Sequence, residues 1–271
     1  MRIGVSAAQG GRLANPAALR GAARAAERLG YASVWARARA RAAGEGGLWL
    51  DPIAVLGAVA VVTSRVRLGL WLEGGDIQPE VVGGWAASLH RLSDARLDIA
   101  LGGPCPVDSA FDDWIDRLAG APGVATGRGG SGRPALLLGG SAPRDLERVA
   151  RRGDGWHAAG IALERLGPLW RTIRERADGA GRDPGALEMV VAADLVILDR
   201  PAPFPRPAYC GVVEQVAEDL DVARRAGATE IVLGFSGDVG FDEALDAYAR
   251  VTETLGGVPT ASWPGAPPAR G

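Results

Sequence analysis

Lysine is absent from this chain, and all 30 of its basic side chains are arginine. A Schiff-base lysine and a lysine phosphate clamp are therefore excluded. Any anion site must rest on backbone N–H groups, arginine or serine. Cysteine is scarce. Cys105 and Cys210 stand far apart, with no metal-ligand spacing and no disulfide framework. Neither has a neighbouring histidine or basic pair, so both read as ordinary thiols. Long apolar runs are missing too: the longest, Pro52 to Val62, is too short to span a bilayer. The chain opens on an apolar strand, MRIGVSA, without a signal-peptide pattern, so a cytoplasmic location with no membrane partner is the expectation. Nor does one sign of charge dominate. A formal net charge of −2 with no dense basic face argues against a nucleic-acid partner.

Glycine (40) and proline (18) are abundant, but they cluster in loops rather than in repeats, which excludes collagen-like and disordered readings. Short β-rich runs alternate with longer helical patterns. The strands read as Ile3–Ala7, Ser33–Ala36, Arg67–Leu72, Leu97–Leu101, Ala135–Leu138, Gly155–Ala159, Glu188–Ile197 and Glu230–Phe235. The helices read as 16–29, 52–63, 79–92, 108–118, 142–152, 162–179, 213–226 and 241–255. Asn15-Pro16 and Asp51-Pro52 each place an N-cap before a first-turn proline, and Gly30 and Gly227 end helices. Eight alternations predict an α/β fold, a (β/α)8 TIM barrel, as one domain over 1–255 followed by a flexible tail over 256–271. In such barrels ligands meet the C-terminal ends of the strands, so the loops after strands carry the chemistry.

Those loops include RARARAAGEGGLWL after strand 2, EGGDIQ after strand 3, a glycine-rich stretch over 120–132, and the proline-stiffened DRPAPFPRPAYCG after strand 7. Helix 2 has no polar residue from Ile53 to Val62, and helix 3 carries the apolar run Val81–Ala87 with Trp85. An outer barrel helix that is apolar all round predicts burial, either in a homodimer through helices 2 and 3 or beneath a long loop.

The segment PALLLGGSAPRDLERVARRGDGWHAAG carries the most chemical information. A strand runs into Gly139-Gly140-Ser141 and a helix begins at once, with Arg144 in its first turn. Two readings stand: an anion site on the first free N–H groups of the helix, or a tight turn with an N-cap. His157, His90, Asp194 and Glu73 are the titratable candidates. His157 lies nearer the barrel mouth and His90 on a face away from it. Asp194, within the apolar run VVAADLVIL, must point at a polar pocket or be paired. Trp35, Trp49 and Trp71 are read either as pocket lining or as core.

The run LLLGGSAPRDLERVARRGDGW resembles the strand-5 to strand-6 segment of the luciferase-like monooxygenase family of flavin- and F420-dependent oxidoreductases. LRGAARAAERLGYASVW, DPIAVLGAVAVVTSRVRLG, QPEVVGGWAASLHRLSDARLDIALG and VEQVAEDLDVARRAGATEIVLGF resemble other units of that family in the same order. The resemblance implies coenzyme F420 or FMN as cofactor, with its phosphate on Gly139, Gly140, Ser141 and the N–H groups near Arg144. Gly155 and Trp156 would lie close by, Trp71 and Leu72 beneath the ring, and Gly102 and Gly103 beside the ribityl chain. The same resemblance implies hydride transfer or monooxygenation of a small organic substrate, the cofactor carrying the hydride or oxygen.

The chain departs from that pattern where many relatives end strand 2 in an acidic residue and a histidine. Here SVWARARAR places Arg37 and Arg39 instead. Arginine does not donate a proton near neutral pH, but it can clamp an anion. Arg39 is thus the expected anion clamp, with His157 and Asp194 as acid–base candidates. Gln78 and Gly103 replace other polar residues of the family, and the insertion between strands 4 and 5 is shortened. An alternative follows from these losses: a degenerate barrel without redox activity that binds a ligand, serves as a partner subunit or runs a non-redox biosynthetic reaction such as a cyclisation. A phospho-sugar isomerase would need a strand-end Glu or Lys base, which the other loops and the missing lysine do not favour.

Overall fold

Side-chain caps and backbone clamps set the elements in place. Asn15 Oδ1 accepts from the N–H groups of Ala17 and Ala18 and starts α1 (Pro16–Arg28), and Asp51 does the same for α2 (Pro52–Val62). No charge stands in the last turn of α2 to meet its free carbonyls. Arg96 reaches over from the start of the fourth strand instead, donating to the carbonyls of Ala60 (3.1 Å) and Thr63 (3.0 Å) and to that of Val66. From the other side, Glu27 of α1 accepts from the N–H groups of Ser64, Arg65 and Val66. The turn that launches the third strand is therefore held by two long-range side chains.

The computed structural model describes residues 1–7, 9–10, 15–38, 49–73, 77–102, 109–121, 124, 133–235 and 241–254. The strands are β1 (Arg2–Ser6), β2 (Ser33–Ala38), β3 (Arg67–Glu73), β4 (Leu97–Gly102), β5 (Ala135–Gly139), β6 (Gly155–Ala159), β7 (Glu188–Ile197), β8 (Cys210–Gly211) and β9 (Glu230–Phe235). The remaining helices are α3 (Pro79–Leu92), α4 (Ser109–Gly120), α5 (Pro143–Arg152), α6 (Leu163–Gly179), α7 (Val213–Arg225) and α8 (Phe241–Thr254). All pairings between these strands are parallel, and an isolated antiparallel bridge joins Gly10 to Trp49. β1 to β7 follow one another, β9 pairs with β7, and β9 also pairs with β1, which closes an eight-stranded barrel. This is the expected (β/α)8 barrel, with element ends within two residues of the sequence reading. Two small elements escaped that reading: the two-residue β8, which extends the edge of β7, and a 3₁₀ turn at Pro184–Ala186.

Side chains alternate along each strand between the helix layer and the barrel interior. Leu68, Leu70 and Leu72 join Val55, Leu56 and Val59 in the outer core, while Trp35, Trp71, Ala100, Leu137, Val190 and Val232 fill the interior. Two tryptophans fit inside because small residues face them. A Cβ on Gly69 would fall 1.9 Å from the ring of Trp35, and one on Gly102 would fall 2.6 Å from Nε1 of Trp71.

The N-terminal end of the barrel is sealed by charge. Arg2 Nε donates to Glu230 at 3.0 Å and its Nη2 to Glu188 at 2.8 Å, and Arg67 pairs with Asp98. Ser33 Oγ donates to Glu230 and accepts from Nε1 of Trp35 at 2.8 Å. Three carboxylates meet two guanidinium groups there. Burial, reinforced by Glu188 and Glu230, outweighs the pull of Arg67 and raises the Asp98 carboxyl to about 6.

α2 lays Val55, Leu56, Val59 and Ala60 on the barrel and turns Ala54 and Val61 outward, Val61 being 67% exposed. The outer face of α2 is thus apolar, and α3 exposes Val81 and Leu92 among Glu80, Ser88 and Arg91. No helix among the described residues is long and apolar enough to cross a membrane. The tail over 256–271 and the glycine-rich positions 122–123 and 125–132 lie outside the described residues.

Candidate active site

At the C-terminal end of the strands, Ser6, Trp35, Arg37, Trp71, His157 and Asp194 line a cavity of about 10 Å³. That is close to the least space that holds one water. Arg37, the last inward residue of β2, is one of the residues that line the cavity. Its guanidinium lies 4.1 Å over the Trp71 ring, pairs with Glu73 and comes within 3.9 Å of Asp194. Gln9 fixes the backbone beneath it. The Gln9 side chain accepts from the Arg37 N–H at 2.6 Å and donates to the carbonyls of Arg37 and Leu50, each at 3.0 Å, although it is itself buried.

His157 lies on the inner face of β6, wholly enclosed. Its ring stacks on Trp35 at a centroid distance of 5.8 Å and meets Trp71 edge-on at 4.5 Å. Burial, with a smaller contribution from Arg37, lowers its pKa to about 3, so the imidazole is neutral at physiological pH. Asp194 is open to solvent, and Gly234 opposite makes room for it, since a Cβ there would fall 2.7 Å from its Oδ1. The carboxylate inside an apolar run is thus explained by the mouth onto which it points.

The turn after β5 stands at the same end of the barrel. Gly140 adopts a φ of +98°, which glycine accommodates freely. Trp156 Nε1 donates to its carbonyl at 2.9 Å, while the Trp156 ring packs outward against Trp170. The start of α5 is partly satisfied from within: Asp145 accepts from the Ala142 N–H at 3.1 Å, and Arg144 pairs with Asp112 of α4 at 3.1 Å.

Several expected site residues occupy other places. Gly155 opens β6, so it sits at the sealed end of the barrel beside Glu188, away from the turn that the resemblance set it near. Trp156 and Leu72 face the helix layer; only Trp71, Gly102 and Gly139 of the strand-end set adjoin the interior. The space beside Gly102 is taken by Trp71 and His157. His90 lies on α3, outside the mouth. Arg39, Gly103 and Cys105 lie outside the described residues. Gln9 was not legible as a site residue, because its three hydrogen bonds are set by tertiary packing. Among the described residues no group of His, Cys, Asp and Glu could hold a metal ion.

Comparison with known proteins agrees with this architecture. Residues 1–120 match the family model described as luciferase-like monooxygenase. No curated protein matches the sequence. A monooxygenase from Streptomyces bottropensis is similar in structure at a TM-score of 0.73 and 19% identity, covering 94% of this chain and 98% of its own. An F420-dependent secondary alcohol dehydrogenase, solved with an F420–acetone adduct, gives 0.73 and 18% over the same shares. A riboflavin lyase, solved with modified FMN and riboflavin, gives 0.71 and 16%, covering 98% of this chain and 93% of its own. At these identities the likeness is one of fold. The chain is a closed (β/α)8 barrel whose first four β/α units, residues 1–120, are similar to the luciferase-like monooxygenase family.

Proposed function

We propose that this protein is an oxidoreductase that works with coenzyme F420 or FMN on a small organic substrate. The observation that carries the reading is the family match over residues 1–120, joined to a barrel whose mouth keeps buried donors without partners. Those donors suit the oxygen-bearing edge of such a cofactor, and the cavity admits an atom of that edge but not a ring. The turn Gly139-Gly140-Ser141, with its positive φ and the helix start beyond it, suits the phosphate end. Because Arg144 pairs with Asp112, backbone N–H groups and Ser141 would be the principal phosphate donors. When bound, the cofactor supplies hydride, or in the case of FMN oxygen, chemistry.

The chain's own part is to bind, orient and exclude water. Trp71 and Trp35 give the mouth its apolar floor, and Arg37, its charge balanced by Glu73 and Asp194, supplies an N–H donor there. Arg39 remains the sequence's candidate clamp for an anionic substrate group. Neutral His157 carries no acidic proton at pH 7, so it serves as a hydrogen-bonding wall. Asp194, a solvent-open carboxyl group, is the acid–base candidate at the mouth. We place the protein in the cytoplasm and give it a homodimeric form through the outer faces of α2 and α3.

One observation favours the second reading, a barrel without redox activity: Trp71, Arg37 and His157 nearly fill the mouth. Titration of the purified protein with FMN and with F420, followed by absorbance or fluorescence, separates the two. Binding of either below about millimolar supports the oxidoreductase, and binding of neither leaves the second reading.

A further inference from the structure

Buried polar side-chain atoms nearly always have hydrogen-bond partners, and each one left without costs on the order of 1–3 kcal/mol. Among the described residues five have none: Arg37 Nε, Trp71 Nε1, His90 Nδ1, His157 Nδ1 and Tyr209 Oη. Three of the five belong to residues that line the one cavity at the barrel mouth. The other two, on α3 and beside α7, are scattered.

The chemistry of the three is selective. Arg37 Nε–H and Trp71 Nε1–H are donors in every protonation state, so no rearrangement of protons lets them satisfy each other. Trp71 is 9% exposed and His157 1%, which keeps bulk solvent from doing so. Glu73 and Asp194 take up the outer nitrogens of Arg37, and its buried Nε is left without a partner. Trp71 Nε1 and His157 Nδ1 converge on the end of β4: a point 1.5 Å above the Gly102 Cα lies 2.6 Å from the first and 3.3 Å from the second. The remaining walls, Trp35, Ala192 and Val232, are apolar.

We infer that Trp71 Nε1–H and Arg37 Nε–H form a two-donor receptor for a single acceptor oxygen of a ligand, a carbonyl, enolate or carboxylate oxygen, with His157 as its third wall. The inference rests on reading the mouth as the ligand end of the barrel, and it is independent of which cofactor binds. The oxygen belongs either to a cofactor ring edge or to an acidic substrate, and the two sources give the same contact. Glu73 and Asp194 hold Arg37 in place and also balance its charge, so a neutral but polarised oxygen suits the site as well as an anionic one.

The test is to label the tryptophan indoles with ¹⁵N, assign the Trp71 N–H by its loss in Trp71→Phe, and titrate the intact protein separately with FMN, F420, acetate and benzoate. A downfield shift of the Trp71 N–H with any probe, and affinity for that probe about tenfold weaker in Trp71→Phe and Arg37→Met, is the expected result, equal to about 1.4 kcal/mol per lost donor. If a carboxylate gives the shift while neither cofactor binds, the receptor stands and the oxidoreductase reading falls. If a cofactor binds without moving the Trp71 signal, the receptor is wrong and the oxidoreductase reading stands. If no probe moves the signal, the donors serve only a trapped water and the inference is overturned. Should Trp71→Phe fail to fold, triple-resonance assignment of the Trp71 indole in the wild-type protein lets the wild-type titration decide these outcomes.

Discussion

The indole N–H of Trp156 donates to the carbonyl of Gly140 across 2.9 Å, so a side chain of the outer core governs a turn at the barrel mouth. Trp156 itself is fully buried and stacks on Trp170 at 6.5 Å. Phenylalanine at 156 keeps most of that packing and removes only the N–H. The Gly140 carbonyl then loses its side-chain partner, and the expected cost is about 1–2 kcal/mol of folding stability. Binding of a phosphate-bearing ligand should weaken as well, through a looser turn. Urea unfolding and a ligand titration of Trp156→Phe measure both, and unchanged values in each would show that the bond does not position the turn.

Gly140→Ala tests the turn from the other side. Its φ of +98° disfavours a Cβ, and that Cβ would fall 2.4 Å from Oδ2 of Asp145. A loss of about 1–3 kcal/mol is expected from the backbone alone. Adding Asp145→Ala to Gly140→Ala should return part of any excess, because it removes the clashing carboxylate. Strict additivity in this double-mutant cycle would assign the whole effect to φ.

The strand and helix bounds were readable because each depends on local pattern: Asn15-Pro16, Asp51-Pro52, Gly30 and Gly227 all act within a few residues. The site was less readable, for a physical reason. Gly155 already read as the start of the sixth strand, which puts it at the floor, and only the resemblance set it near the phosphate turn. Arg144 looked available for a phosphate, yet its partner Asp112 lies 32 residues earlier on another helix. Gly102 read as space for a ligand, and Trp71 from the neighbouring strand occupies it. Trp71 and Asp194 both stand at inward positions of their strands and line the mouth.

The outer face of α2 and α3 makes a prediction about assembly. Val61 is 67% exposed and Leu92 55%, and Val81, near the other end of α3, is 45% exposed. A second copy of the chain covering this face would bury all three across a two-fold axis. Val61→Glu should then shift the protein from dimer to monomer in sedimentation velocity while leaving its circular dichroism unchanged. A wild-type protein that sediments as a monomer at tens of micromolar would refute the arrangement.

Stability against pH should carry the signatures of two buried groups with opposite signs. An unfolded histidine takes up a proton near pH 6.5, whereas folded His157 refuses it until about pH 3. The unfolded chain therefore binds more protons in that window, and His157 lowers stability as pH falls below about 6.5. Asp98 acts the other way. Its buried carboxyl keeps a proton up to about pH 6, against an ordinary value of 3.8, so it raises stability as pH falls from 6 toward 4. Between pH 4 and 6 the two slopes oppose each other, each at most about 1.4 kcal/mol per pH unit. Relative to wild type, His157→Phe should gain stability progressively as pH is lowered through this window, and Asp98→Asn should lose it. Urea midpoints of the three proteins at pH 4, 5 and 6 test this directly. Every other titrating group is common to all three proteins, so parallel curves would mean that neither buried group titrates as the packing requires.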